Sequence, residues 1–199
     1  MAAVPYYLPK TSVISSFASG SKSPPFLTQV LSKKLTPTIC ENQPTFTAAL
    51  QASPDSQVVI AVSNPDYKIK IYVHNAAENT LLFCRDLCGH TGTITDVCWT
   101  ANEAVIASSS HDGHIALWDI RSGAAITQLL PTRKAAVGKM FCVDSRENML
   151  VAGGEKGIYL WDLSKGALVT HCEDLHTDEV TQVKFHPTQK HLLFTGSED

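Results

Sequence analysis

The stretch "SSSHDGHIALWDI", residues 108–120, gathers His111, Asp112, His114 and Trp118 within a few positions. Imidazoles and carboxylates this close could ligate a metal ion, or act as an acid/base pair beside an aromatic wall. A metal centre needs three or four convergent donors, and a general base needs a concave site with a substrate in reach. The same groups also suit a buried hydrogen-bond network, in which each polar atom must find a partner. Which chemistry applies depends on the elements that hold these residues.

Those elements read as strands. Short apolar runs bounded by turn residues recur: "VVIAV" (58–62), "KIKIYV" (68–73), "TITDVCW" (93–99), "AVIAS" (104–108), "HIALWDI" (114–120) and "AAITQLL" (124–130). The series continues with "GKMFCV" (138–143), "NMLVAG" (148–153), "GIYLWDL" (157–163), "VTQVKF" (180–185) and "HLLFTG" (191–196). No segment sustains a helical period, so the chain is all-β. Several runs are apolar at every position, as expected of sheets covered on both faces.

Composition narrows the function classes. The 199 residues are 44% hydrophobic with a formal charge of −3. Residues 1–40 hold Lys10, Lys22, Lys33 and Lys34 and no acid, which leaves the other 159 residues with a balance of −7. An acidic folded part argues against nucleic-acid binding, leaving RNA-associated scaffolding only Lys33, Lys34 and the basic tail. No apolar run reaches the ~18 residues of a membrane span, and no secretory leader is seen, so an intracellular protein of cytoplasm or nucleus is expected. The cysteines (Cys40, Cys84, Cys88, Cys98, Cys142, Cys172) lack metal-ligand spacing and read as reduced, small hydrophobes. No phosphate loop, nucleophile elbow, zinc-protease or dinucleotide motif is present, and no cofactor is expected.

Residues 1–43 are rich in Ser and Pro and read as a mostly disordered basic tail, with "LTPTIC" (35–40) as a candidate strand. The acid-free, Ser-rich start has something of a transit peptide, but it lacks the arginines such peptides carry. Residues 44–199 form the structured part.

A repeat organises that part. Trp118-Asp119 and Trp161-Asp162 lie 43 residues apart, and "HTGTITDVCW" (90–99) overlays "HTDEVTQVKF" (176–185) at an offset of 86. A period near 43 with four short strands per unit predicts β-propeller blades. Gly89-His90, then "HDG" (111–113), then Trp118-Asp119 resembles the signature of the WD-repeat family. "QPTF" (43–46), "SNPDYKIKIY" (63–72), "ASSSHDGHIALWD" (107–119) and "HTDEVTQVKFHP" (176–187) are similar to blades of the WD-repeat-containing protein 89 group. The fold expected is an incomplete propeller of about three and a half blades. The missing part is expected from a longer chain, of which this is a fragment, or from a second copy that closes the ring. Alone, the chain is expected to aggregate or require a partner, because a partial ring exposes a blade face and an open strand edge. By family analogy, residues 35–40 sit where a closing strand would lie.

The resemblance also reassigns the opening cluster. A fully formed blade of this family carries a structural tetrad, and its spacing assigns Asp112, His90, Ser108 and Trp118 to it. His111 and His114 then become bystanders at the turn and strand start, and neither a catalytic nor a metal role is expected. Around Trp161 the corresponding positions hold Glu155, Val151 and Arg133; around Tyr72 they hold Asp66, Val62 and Pro44. In the last unit Thr195 and Asp199 match, but His176 is one residue further off. These blades are expected to be weak and held chiefly by apolar packing.

The function implied is a non-enzymatic scaffold for other proteins or peptides. A narrower version follows from "IASSSHDGHIALWDIR" (106–121), which resembles the box by which WD-repeat substrate receptors dock on the adaptor of cullin-RING ubiquitin ligases. Asp119 and Arg121 are its docking candidates, Arg121 offering a guanidinium to an adaptor carboxylate. The bland alternative is that Arg121 pairs with Asp119 or solvent. The enzyme alternative is a propeller hydrolase or metal-dependent activity using His111, Asp112 and His114.

Overall fold

In a computed structural model, residues 48–52, 58–75, 80–130, 138–155, 157–173, 175–189 and 191–199 are described, all within the compact unit Leu35–Asp199. The proposed tail, the candidate strand at 35–40, Pro44 and Arg133 lie outside them.

The first sheet pairs β1 (Ala48–Ala52), β2 (Val58–Ser63), β3 (Lys68–Asn75) and β4 (Thr80–Cys88) in that order. The second pairs β5 (Ile94–Trp99), β6 (Val105–Ser110), β7 (Ile115–Asp119) and β8 (Ala125–Leu129). The third pairs β9 (Met140–Arg146), β10 (Met149–Gly154), β11 (Gly157–Asp162) and β12 (Ala167–Cys172). A two-stranded sheet follows, β13 (Val180–Phe185) with β14 (Leu193–Ser197). Every pairing is antiparallel between consecutive strands, so each four-stranded sheet is a meander of propeller-blade form.

Alternation along single strands explains the all-apolar runs. On β7, Ala116 and Trp118 face the first sheet, joining Ile69, Leu87 and Ile106, while Ile115 and Leu117 face the third, joining Leu150 and Trp161. On β11, Tyr159 and Trp161 turn back to the second sheet, and Ile158 turns forward to Val180 and Val183. Each inner sheet is thus buried on both faces.

Three strands have no counterpart among the runs read from the sequence: β1, β4 and β12. β4 and β12 are the last strands of their sheets, and Leu82, Phe83, Leu168 and Val169 on them are exposed. With few burial constraints, neither keeps a period.

Polar contacts stitch neighbouring sheets at their first strands. The Asp96 carboxylate accepts the Val97 amide at 2.9 Å and, across the boundary, the Val143 amide at 3.2 Å. One sheet on, Asp144 accepts the Phe185 amide at 2.8 Å and the Lys184 ammonium at 3.2 Å. The Thr95 hydroxyl also donates to the Met140 carbonyl at 2.9 Å.

Candidate functional site

The β6–β7 hairpin turns at Ser110–Gly113, where the Gly113 amide donates to the Ser110 carbonyl at 3.1 Å and Gly113 takes a φ of 83°. This turn aims the Asp112 side chain at the loop before β5. There His90 meets it, its Nδ1 lying 2.8 Å from Asp112 Oδ2, and the Thr91 amide donates to the same oxygen at 2.9 Å. On the far side of the ring, His90 Nε2 is 2.7 Å from Ser108 Oγ. The Trp118 indole N–H donates to that hydroxyl at 2.8 Å. His90, Ser108, Asp112 and Trp118 therefore form one continuous hydrogen-bonded line across β6, β7 and the preceding loop.

The line is self-consistent. With Nδ1–H donating to Asp112, Nε2 accepts the Ser108 hydroxyl proton, and the Ser108 oxygen accepts from Trp118. Burial alone would push the Asp112 carboxyl up, but the His90 ring and the Thr91 amide outweigh it and hold the group well below the usual carboxylate range.

Hydroxyl, imidazole and carboxylate stand in the order of an acyl-transfer triad, so access decides what they can do. Ser108 is 0% exposed and Trp118 1%. A substrate carbonyl cannot reach the Ser108 oxygen, and its acceptor capacity is directed at the indole. Among the described residues no three His, Cys, Asp or Glu side chains converge as a metal centre needs.

His114 departs from the bystander role. Its amide donates to Asp112 Oδ1 at 3.0 Å and its Nδ1 lies 3.3 Å from the same oxygen, so Asp112 sits between two imidazoles. The two-residue reach from Asp to the strand start makes this contact local. His111 is exposed and sets its ring edge-on to Phe141 of β9, centroids 5.5 Å apart.

The last sheet is better specified than its spacing suggested. His176 Nδ1 lies 3.1 Å from Asp199 Oδ1, His176 Nε2 lies 2.9 Å from Thr195 Oγ1, and the Thr177 amide donates to Asp199 at 2.8 Å. The extra residue is absorbed in the hairpin. Trp99 pairs with Ile106, seven residues on, whereas Phe185 pairs with Leu193, eight residues on. The insertion lies away from the polar line and leaves it intact.

The other two sheets use different contacts. Glu155 pairs with Lys139 at 3.4 Å, Val151 is buried, and Tyr159 stacks between Trp161 (5.8 Å) and His171 (4.0 Å). In the first sheet Asp66 pairs with Lys68 at 3.3 Å, and Val62 is buried.

The docking candidates sit on the β7–β8 turn. Asp119 accepts the Arg121 amide at 2.9 Å and the Ser122 hydroxyl at 2.8 Å, contacts that pull its carboxyl below the ordinary range. Both oxygens are thereby engaged within the turn, and the Arg121 side chain is left exposed. Sequence reasoning passed over Arg85, Asp96 and Asp144, which no local pattern marks. The buried thiols behave as small hydrophobes: burial pushes Cys142 up to about 12 and raises Cys98 as well.

Comparison with known proteins agrees with this architecture. The WD40 family description (WD domain, G-beta repeat) matches residues 82–119 and 168–199. The chain is 29% identical over 141 residues to the WD repeat-containing protein 89 homolog of Dictyostelium discoideum, covering 71% of this chain and 37% of that protein. It is 28% identical over 144 residues to the WD repeat-containing protein GTS1 of Arabidopsis thaliana, covering 70% and 36%. To human pre-mRNA-processing factor 17 it is 24% identical over 152 residues, covering 76% and 26%. The chain thus spans little more than a third of the first two relatives' length. Matched repeats, blade-form sheets and the WD-repeat relatives lead to one conclusion: the chain carries WD repeats in an all-β fold of four-stranded sheets and is similar to WD-repeat proteins.

Proposed function

We propose that the chain is a non-catalytic scaffold that binds other proteins or peptides, in cytoplasm or nucleus, without acting on nucleic acid or membranes. One observation carries this reading: the hydroxyl–imidazole–carboxylate line that looks most catalytic is closed on itself, with Ser108 fully buried under the Trp118 indole. WD-repeat proteins generally mediate protein–protein interaction, which supports the same reading. Metal analysis tests it: stoichiometric zinc or iron in the purified chain, with turnover that depends on the metal, would overturn it.

A second, finer reading is docking on the adaptor of cullin-RING ubiquitin ligases through Asp119 and Arg121. It is favoured by the exposure of the Arg121 side chain, whose guanidinium no carboxylate among the described residues holds within ion-pair distance. Co-purification of the recombinant adaptor with the chain is expected to drop about tenfold for Arg121→Ala. Undiminished co-purification ends this reading.

A further inference from the structure

Arg121 is not the only guanidinium at its turn. Arg85, on the last strand of the first sheet, lies against Gly123 of the second: a Cβ placed on Gly123 would stand 3.1 Å from Arg85 Nη1 and 3.3 Å from its Cδ. Gly123 takes a φ of 78°, and its amide donates to the Asp119 carbonyl at 2.8 Å. The absence of a side chain there lets the arginine rest on the turn backbone. Arg121 is two residues from Gly123, so its Cα lies within about 7 Å of the glycine by chain geometry. Both arginines therefore flank one tight turn, on the seam between two sheets.

Neither guanidinium has a carboxylate within ion-pair distance among the described residues. Asp119, two residues from Arg121, directs its oxygens at the Arg121 amide and the Ser122 hydroxyl and feels the Arg121 charge without forming an ion pair with it. Arg85 is half-buried and Arg121 exposed, so one is preplaced and the other reaches outward.

We propose that Arg85 and Arg121 form a two-guanidinium clamp for carboxylate side chains of a protein partner, with Gly123 as its positioning residue. Planar guanidinium forks match carboxylates bidentately, and the resting place on Gly123 lowers the ordering cost for Arg85. The chain carries a formal charge of −3, so an acidic segment has no general attraction to it and must find a local one. The clamp deepens the docking reading of Arg121, on which it rests for its location, and adds a second recognition group.

The probe is a fluorescein-labelled Glu-Gly repeat peptide, with a Gln-Gly peptide as control, titrated by anisotropy against the full chain at low salt. The wild-type chain is expected to bind the Glu peptide and not the Gln peptide. Arg85→Gln and Arg121→Gln are each expected to weaken binding about fivefold, and the double variant more than either. Gly123→Ala is expected to weaken binding at least as much as Arg85→Gln, because the added methyl displaces the guanidinium and the positive φ strains the turn that carries Arg121. No binding by the wild type, equal binding of the Gln peptide, or an unaffected Arg85→Gln overturns the clamp. An oligonucleotide that displaces the peptide at lower concentration also overturns it, by replacing the partner class. With the adaptor as ligand, loss for Arg121→Gln but not Arg85→Gln sinks the clamp and spares the docking reading. Glu-peptide binding that persists without adaptor binding does the reverse.

Discussion

Trp118 donates its indole N–H to the hydroxyl of Ser108, at 2.8 Å, and Ser108 has no exposed surface. That one bond joins β6 to β7 in the hydrophobic interior and fixes which way the hydroxyl proton must point, toward His90. Every member of the line beyond it depends on this polarity.

Removing the hydroxyl strands two groups at once. Ser108→Ala is expected to cost about 2–3 kcal/mol, because both the Trp118 N–H and His90 Nε2 lose a buried partner. The equivalent change on the exposed line, Thr195→Val, is expected to cost less than about 1 kcal/mol, since water can replace the hydroxyl. Urea midpoints of the two variants check the contrast, and equal losses would contradict it.

Trp118→Phe keeps an aromatic ring and deletes the donor. It is expected to lower stability by about 2 kcal/mol, from one hydrogen bond plus the space left by the smaller ring. A melting temperature within a degree of wild type would show that the indole bond contributes nothing.

The Asp112 carboxyl sits below its ordinary range in the folded chain. The unfolded chain therefore takes up the proton first, and stability falls as pH drops. The Asp112 contribution is expected in full above the ordinary carboxylate pKa of about 3.9, and to be lost as pH falls from there through the lower folded value. Denaturation of wild type and Asp112→Asn across acid pH should give a stability gap that is constant near neutrality and narrows below about pH 4. A gap that widens on acidification would reverse the assignment.

Asp96→Ala deletes an acceptor that spans a sheet boundary. It is expected to cost about 1–2 kcal/mol and to raise hydrogen exchange at the Val143 amide on β9. Exchange there unchanged from wild type would separate Asp96 from its neighbour.

Much of this was legible in the sequence because burial wrote it there. β7 and β11 are apolar at nearly every position since each packs against two sheets, and that double demand produced the unbroken runs "IALW" and "GIYLW". β1, "AALQA", shows no such run; its alanines favour helix over strand, and only its pairing with β2 makes it extended. The Asp112–His90 partnership follows the family spacing, yet the same spacing undervalued His176, because a hairpin insertion shifts the count without moving the contact. His114 was passed over because alternation places it on the surface, and a short local bond to Asp112 overrides that. Arg85 and Asp96 act across sheet boundaries, where no local pattern forecasts a partner.

The boundary contacts of Asp96 and Asp144 each use a side chain of one sheet to satisfy the backbone of the next. The first strands of the third sheet and of the two-stranded sheet thus each rely on an acidic residue encoded more than forty positions upstream. Stability is then shared between neighbours in series, and damage to one sheet spreads forward along the chain rather than staying where it arose.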